Sequence, residues 1–367
     1  MSVFLQLDIY IHKVCSFIPI TRYLRESKYF PKHRMNVLEW LLSKVNISEF
    51  EKESYMSLHQ EYKEIFEREI VQHSKGVIFS FSPLTEKHIY QPYSHAIADD
   101  AVERLGELMR RNLLFYSFGE DEIVEAYSMD EFSSLEHAAK YAYKNRLPHR
   151  DPKQDGLPSE VLLDLLVQIY NPNAYKLAVR TIFRQNDNNE IKGYDLTYFT
   201  KESTSISLWL GQAKLGEKKY CKDGINIDLI HKYTQEYLSK QLFFVCDKRV
   251  ALSSDAKDIF EIINKLNART VDDNEKTRAQ ALINLLNYHR IKVKIPCLLA
   301  YDERSVYEEC AHLYERVQIE VERIKNHFNR KLYSFIGFSP EIVFYVFPIE
   351  SIDRLRNKEK GFYAGLC

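Results

Sequence analysis

Three residues near the middle of the chain have the types and spacing that phosphodiester hydrolysis uses. They are Asp195, in Lys192-Gly193-Tyr194-Asp195, and Gln212 and Lys214, in Ser207-Leu208-Trp209-Leu210-Gly211-Gln212-Ala213-Lys214. Side chains alternate faces along a strand, so Gln212 and Lys214 point the same way with Ala213 opposed. A hairpin would bring Asp195 within reach of both. A carboxylate beside an amide oxygen is a hard-cation site of the kind that holds Mg²⁺ (or Mn²⁺), with waters completing the shell. An adjacent ammonium can orient a metal-bound water and stabilise charge developing on a phosphate.

On a polar exposed hairpin the same residues would form only a surface ion pair, worth about 0–1 kcal/mol. Context favours the chemical reading. Lys214 ends a run, Ile206–Gly211, that otherwise reads as a buried strand, where a charge is costly unless used or paired. Gly211, just before Gln212, lets another backbone or a ligand approach closely. Glu160, in the first turn of an expected helix over Ser159–Tyr170, is a candidate further metal ligand, and Asp164 lies one turn on along the same face. The alternative for Glu160 is a favourable interaction with the helix dipole, worth a few tenths of a kcal/mol. Lys218 and Lys219 follow the Lys214 strand directly and are candidates to meet phosphates, against the alternative of solvated surface lysines. Tyr220 and Tyr233 are weaker candidates for stacking on bases. No Walker A loop, Gly-x-Gly-x-x-Gly, Gly-x-Ser-x-Gly or His-Glu-x-x-His occurs, which disfavours nucleotide hydrolases, dehydrogenases, serine hydrolases and zinc proteases.

The elements that must position these residues follow a readable order. Arg146–Pro158 holds three prolines, a glycine and mixed charges, the composition of a loop or linker. The main boundary is placed there, with residues 1–150 as an N-terminal α+β accessory or partner-binding region and 151–367 as the domain that carries the chemistry. In the first region, strands are expected over Met1–Tyr10 and Gly76–Ser82, and helices over Asn36–Lys44, Ser48–Gln72, Asp99–Leu114 and Ser134–Asn145. In the second, Ser159–Tyr170 is a helix that Ser159 can cap. Tyr175–Arg184, Tyr194–Phe199 and Ile206–Lys214 are strands. Helices follow over Asp228–Lys240, Asp255–Leu266, Asp272–Tyr288 and Ser305–Arg330, with strands at Leu242–Val245, Lys292–Tyr301 and Glu341–Pro348. The fold class is therefore α/β, a mixed sheet flanked by helices.

Glu160 on a helix, then Gly193-Tyr194-Asp195, then Leu208-Trp209-Leu210-Gly211-Gln212-Ala213-Lys214, resembles the PD-(D/E)xK nuclease superfamily with its restriction-endonuclease-like fold. More narrowly, those segments with Ile295-Pro296-Cys297-Leu298-Leu299-Ala300 resemble HamA, the nuclease subunit of the bacterial Hachiman anti-phage system, over about residues 100–367. The resemblance implies a DNA-degrading effector, dependent on Mg²⁺ or Mn²⁺, whose partner is a HamB-like superfamily 2 helicase that restrains it until phage or DNA damage is sensed. By position it implies Asp195 as metal ligand, Gln212 in the acidic slot, Lys214 as catalytic lysine and Glu160 as the helix carboxylate. Gln212 departs from the usual Glu or Asp, and an amide oxygen binds Mg²⁺ less strongly than a carboxylate. A catalytically inactive DNA-binding or scaffold subunit, and a stand-alone modification-dependent restriction endonuclease, are the competing readings.

Composition sets the frame. With 367 residues, 45% hydrophobic and 28% charged, the chain fits a soluble globular protein of one large or two ordinary domains. A net charge of −1 supplies no global field to steer a nucleic acid, so binding DNA would need local basic patches. The first twenty residues lack the order of a signal peptide and are too short and polar to span a bilayer. Six scattered cysteines without Cys-x-x-Cys spacing read as free thiols in a reducing cytosol. A cytoplasmic protein without a membrane partner is expected.

Overall fold

In a computed structural model, the described residues are 58–147, 155–177, 193–202, 205–247 and 254–366. The chain divides into two units, Met1–Lys52 and Glu53–Cys367. The expected strand Met1–Tyr10 and helix Asn36–Lys44 fall in the first, outside the described residues.

In the second unit, a helical segment over residues 58–74 leads into β1 (Ile78–Ser80), β2 (Leu84–Thr85) and β3 (Ile89–His95). Helices α1 (Ala101–Arg111), α2 (Leu113–Ser117), α3 (Glu120–Ser128), α4 (Leu135–Arg146) and α5 (Leu157–Tyr170) follow. Then come β4 (Tyr175–Lys176), β5 (Leu196–Glu202) and β6 (Ser205–Gly216). Next are α6 (Lys218–His231), α7 (Gln235–Asp247), α8 (Ser254–Arg269) and α9 (Glu275–Tyr288). Strand β7 (Ile291–Asp302), helix α10 (Leu313–Asn329) and strand β8 (Glu341–Ile349) follow, and a short helix, Ile352–Leu355, comes after them.

The sheet order is β1-β3-β8-β7-β6-β5-β4, with β2 paired to β3. Strands β3, β8, β7 and β6 are mutually parallel, and β1, β5 and β4 add antiparallel. Parallel strands covered on both faces need continuous apolar runs, and β8 is buried at every residue after Glu341. One core lies between the sheet and α1, α2 and α5, taking Trp209, Ala213, Leu298 and Tyr345 from the strands. The other lies against α6, α7, α9 and α10, taking Leu208, Leu210, Leu299 and Phe344. Each fully buried Leu or Phe in these layers contributes about 1.5–3 kcal/mol. The expected mixed sheet flanked by helices is the architecture observed.

The sheet crosses the Pro-rich stretch, because β3, from before it, pairs with β8 from beyond it, so β1, β2 and β3 share a sheet with β6, which carries Lys214. Several local expectations differ. Helix α5 begins at Leu157 after Gly156, with Pro158 in its first turn; Ser159 lies inside it and donates to the Gly156 carbonyl at 2.7 Å instead of capping it. The single helix expected over Asp228–Lys240 is two, α6 and α7, parted at residues 232–234. Leu242–Val245, expected as a strand, is the buried stripe of α7, because four apolar residues in a row suit either element and only packing decides. Of the strand expected over Tyr175–Arg184, only Tyr175–Lys176 falls in a described strand; residues 178–184 lie outside the described residues.

Among the described residues, Cys221, Cys246, Cys297 and Cys310 are free thiols, and no helix is long and apolar enough to cross a membrane.

Candidate active site

The antiparallel β5–β6 pair sets the geometry. Leu196 lies opposite Gly211, and the Asp195 N–H, one residue earlier, donates to the Gly211 carbonyl at 2.9 Å. Asp195 is thus drawn alongside Gln212, and its Oδ2 accepts from the Ala213 N–H at 2.8 Å. Alternation fixes the faces. Leu208 and Leu210 enter the core under α6, so Gln212 and Lys214 face that way, while Leu196 and Tyr198 enter the opposite core and leave Asp195 and Phe199 on the α6 side. The three expected residues share one face of the sheet.

Helix α6 closes over them. The Lys214 stem runs along Gly224, where a Cβ would lie 2.9 Å from the Lys214 Cε. The Lys214 ammonium donates to Asp228 Oδ2 at 2.5 Å. Asp228 Oδ1 pairs with the Lys232 ammonium at 3.2 Å, which in turn donates to Gln212 Oε1 at 2.5 Å. Gln212 is fully buried, and its Nε2 has no hydrogen-bond partner among the described residues. Burial pushes the Lys214 ammonium down, but the carboxylates of Asp195 and then Asp228 outweigh it and hold its pKa above the ordinary lysine value. Lys214 is therefore a charged, partly buried cation at the end of an apolar strand. Sequence reasoning missed Gly224, Asp228 and the place of Lys232. The one available signal was the i,i+4 spacing of Asp228 and Lys232, common on any helix surface.

Gly211 does permit a close approach, but of protein: a Cβ there would meet the Leu196 and Pro296 side chains and Leu163 of α5 at 2.9–3.1 Å. That contact seats α5 over β6. The Arg356 guanidinium bonds both the Asp155 and Leu215 carbonyls, so the N-terminal end of α5 lies over the C-terminal end of β6. Glu160 thus comes from the opposite face of the sheet, at the same end as Asp195 and Lys214, and its Oε2 accepts from the Tyr116 hydroxyl at 2.6 Å. Asp164 is a buried hub, accepting from Asn112 at 2.9 Å, Gln168 at 2.8 Å and Tyr198 at 2.6 Å.

The two lysines after the strand differ from each other. Lys218 is held by Glu303 and by Glu320, the latter at 2.7 Å, and lies over the Tyr301 ring. Lys219 is exposed in the first turn of α6. Tyr220 is exposed, whereas Tyr233 is buried with its hydroxyl on the Leu210 carbonyl at 2.7 Å and has no face to offer a base.

Among the described residues, no three His, Cys, Asp or Glu side chains gather as a metal cage. The donors present are the Asp195 and Asp228 carboxylates and the Gln212 amide oxygen. The Lys232 ammonium lies between Gln212 Oε1 and Asp228 Oδ1, so these two oxygens converge on one positive charge, and oxygen donors of this kind are the type that Mg²⁺ takes.

A family model described as HamA matches residues 64–366, most of the chain, and the chain belongs to that family. No curated protein matches it.

Proposed function

We propose that this Hachiman-associated member of the HamA family is a Mg²⁺- or Mn²⁺-dependent deoxyribonuclease that hydrolyses phosphodiester bonds when a HamB-like helicase releases or activates it. The observation that carries this reading is the Lys214 ammonium, charged and partly buried, on one sheet face with Asp195 and Gln212. In this reading Asp195 and Gln212 hold the metal, with Glu160 reaching the same end of the sheet from α5. When bound, the metal activates water and offsets the charge of the scissile phosphate.

The chain's own residues do the rest. Asp228 fixes the Lys214 ammonium, so its remaining hydrogens are available for a phosphate oxygen without reorganisation. Burial strengthens that interaction over its worth in water. Lys219, exposed at the start of α6, would meet the nucleic-acid backbone, whereas Lys218 would first have to give up Glu303 and Glu320. Lys214→Ala is expected to abolish metal-dependent DNA cleavage while the far-UV circular dichroism stays near wild type, with a melting temperature lowered by the loss of one partner of the buried Asp228. Undiminished cleavage by that variant would remove the assignment.

A second reading is favoured by one observation, the engagement of the Gln212 oxygen with Lys232. In it the chain is an inactive nuclease-fold subunit that binds DNA or serves as a scaffold. Calorimetry that finds no Mg²⁺ or Mn²⁺ binding, alongside retained DNA binding, would select it.

A further inference from the structure

We infer that Asp228 is the second acidic donor of the cation site and that the Lys232 ammonium is its resident occupant, which a divalent ion displaces. The inference rests on the nuclease reading only in taking that ion to be the cofactor.

Asp228 divides its two oxygens between two lysines, Oδ2 to Lys214 and Oδ1 to Lys232. A carboxylate this buried is tolerated only when paired, and both of its partners belong to the β6 site. It thereby brings to the site the negative charge that an amide at position 212 lacks. Lys232 stands where a cation would: its ammonium touches Gln212 Oε1 and Asp228 Oδ1 at once.

The backbone of Lys232 is fixed, its N–H donating to the Asp228 carbonyl and its own carbonyl accepting from the Tyr194 hydroxyl, both at 2.8 Å. Its side chain is about a quarter exposed, so the four-carbon stem can swing to solvent while the backbone stays in place. The Gln212 amide is buried, and among the described residues its Nε2 has no partner. Of its two ends, only the oxygen is anchored, and that oxygen already faces the cation position. Charge balance points the same way. Asp195 and Asp228 against Lys214 and Lys232 sum to zero. Exchanging the ammonium for a divalent ion leaves this set one unit positive, matched to a phosphodiester.

The test uses the full chain and MnCl₂ alone, with binding read by calorimetry and folding by melting temperature. Lys232→Met, which keeps the stem and removes the charge, is expected to bind Mn²⁺ on the order of tenfold tighter than wild type, the scale of one charge-assisted hydrogen bond. Asp228→Asn added to that variant should abolish the gain. Equal or weaker binding by Lys232→Met, in a protein whose wild type binds Mn²⁺ and cuts DNA, overturns the displacement and leaves the nuclease intact. Absence of Mn²⁺ binding from both folded proteins overturns the inference and the metal-dependent reading together. A gain that persists after Asp228→Asn removes Asp228 from the site.

Discussion

Gly224 separates the presence of the lysine from its placement. An alanine Cβ there would press on the flexible end of the Lys214 stem, so the side chain yields and the fold does not. Alanine also favours a helix over glycine by up to about 1 kcal/mol. Gly224→Ala is therefore expected to melt no lower than wild type yet lose roughly a hundredfold in DNA cleavage, the scale of a misplaced catalytic group. Melting curves and cleavage rates on the same preparation check this, and unchanged cleavage would show that the ammonium needs no such placement. At this scale the sequence disclosed residues whose type is unusual for their setting. A lysine closing an apolar strand is such a residue, and so is an aspartate at the mouth of the preceding strand. It did not disclose Asp228 or the place of Lys232, because a charged pair one helical turn apart is ordinary on a surface and becomes part of a site only when α6 folds onto β6.

Helix α5 shows what a single element can and cannot announce. Its apolar run and its place beside the sheet were legible, since Val161–Val167 has too little polar surface to face water on any side. The work of Asp164 was not. Its partners Asn112, Gln168 and Tyr198 come from the α1–α2 junction, α5 itself and β5, and only Gln168 is near it in sequence. Tyr62 extends the network by donating to the Gln168 side chain. Asp164→Ala leaves the Gln168 amide and the Tyr198 hydroxyl without an acceptor and Asn112 with only the Val161 carbonyl at 3.4 Å, and is expected to cost on the order of 3–5 kcal/mol, measured by urea denaturation. A loss below about 1 kcal/mol would mean that water replaces the carboxylate. Helix α7 gives the complementary lesson, for a short apolar run carries no record of which core will receive it.

On the scale of the whole molecule, pairing across long sequence separations was the part least visible beforehand. The strand ending in Ser80 and the strand starting at Glu341 were each readable, but nothing in either states that β3 will lie between β1 and β8. His95 fastens that junction. Its ring stacks on Tyr307 at 3.9 Å, Nδ1 meets the Ala96 carbonyl at 2.6 Å, and the Glu350 N–H donates to Nε2 at 3.0 Å. These partners require the neutral ring with its proton on Nδ1. Burial lowers its pKa to about 4, so between pH 6.5 and pH 4 the unfolded chain binds the proton more readily than the folded one. Its stabilisation is fully present above pH 6.5 and is lost as the pH falls toward 4, on the order of 3 kcal/mol in all. The His95 imidazole resonance should titrate near pH 4 in the folded protein; a midpoint near 6.5 would contradict this. The position of β8 has a further consequence, for the timing of synthesis. Of the strands in this sheet it leaves the ribosome last, yet it occupies the gap between β3 and β7. Until it arrives both neighbours present open edges, and the platform under β6 stays incomplete. A nascent chain therefore carries the β5–β6 pair, with Asp195, Gln212 and Lys214, before the parallel sheet that backs it is closed.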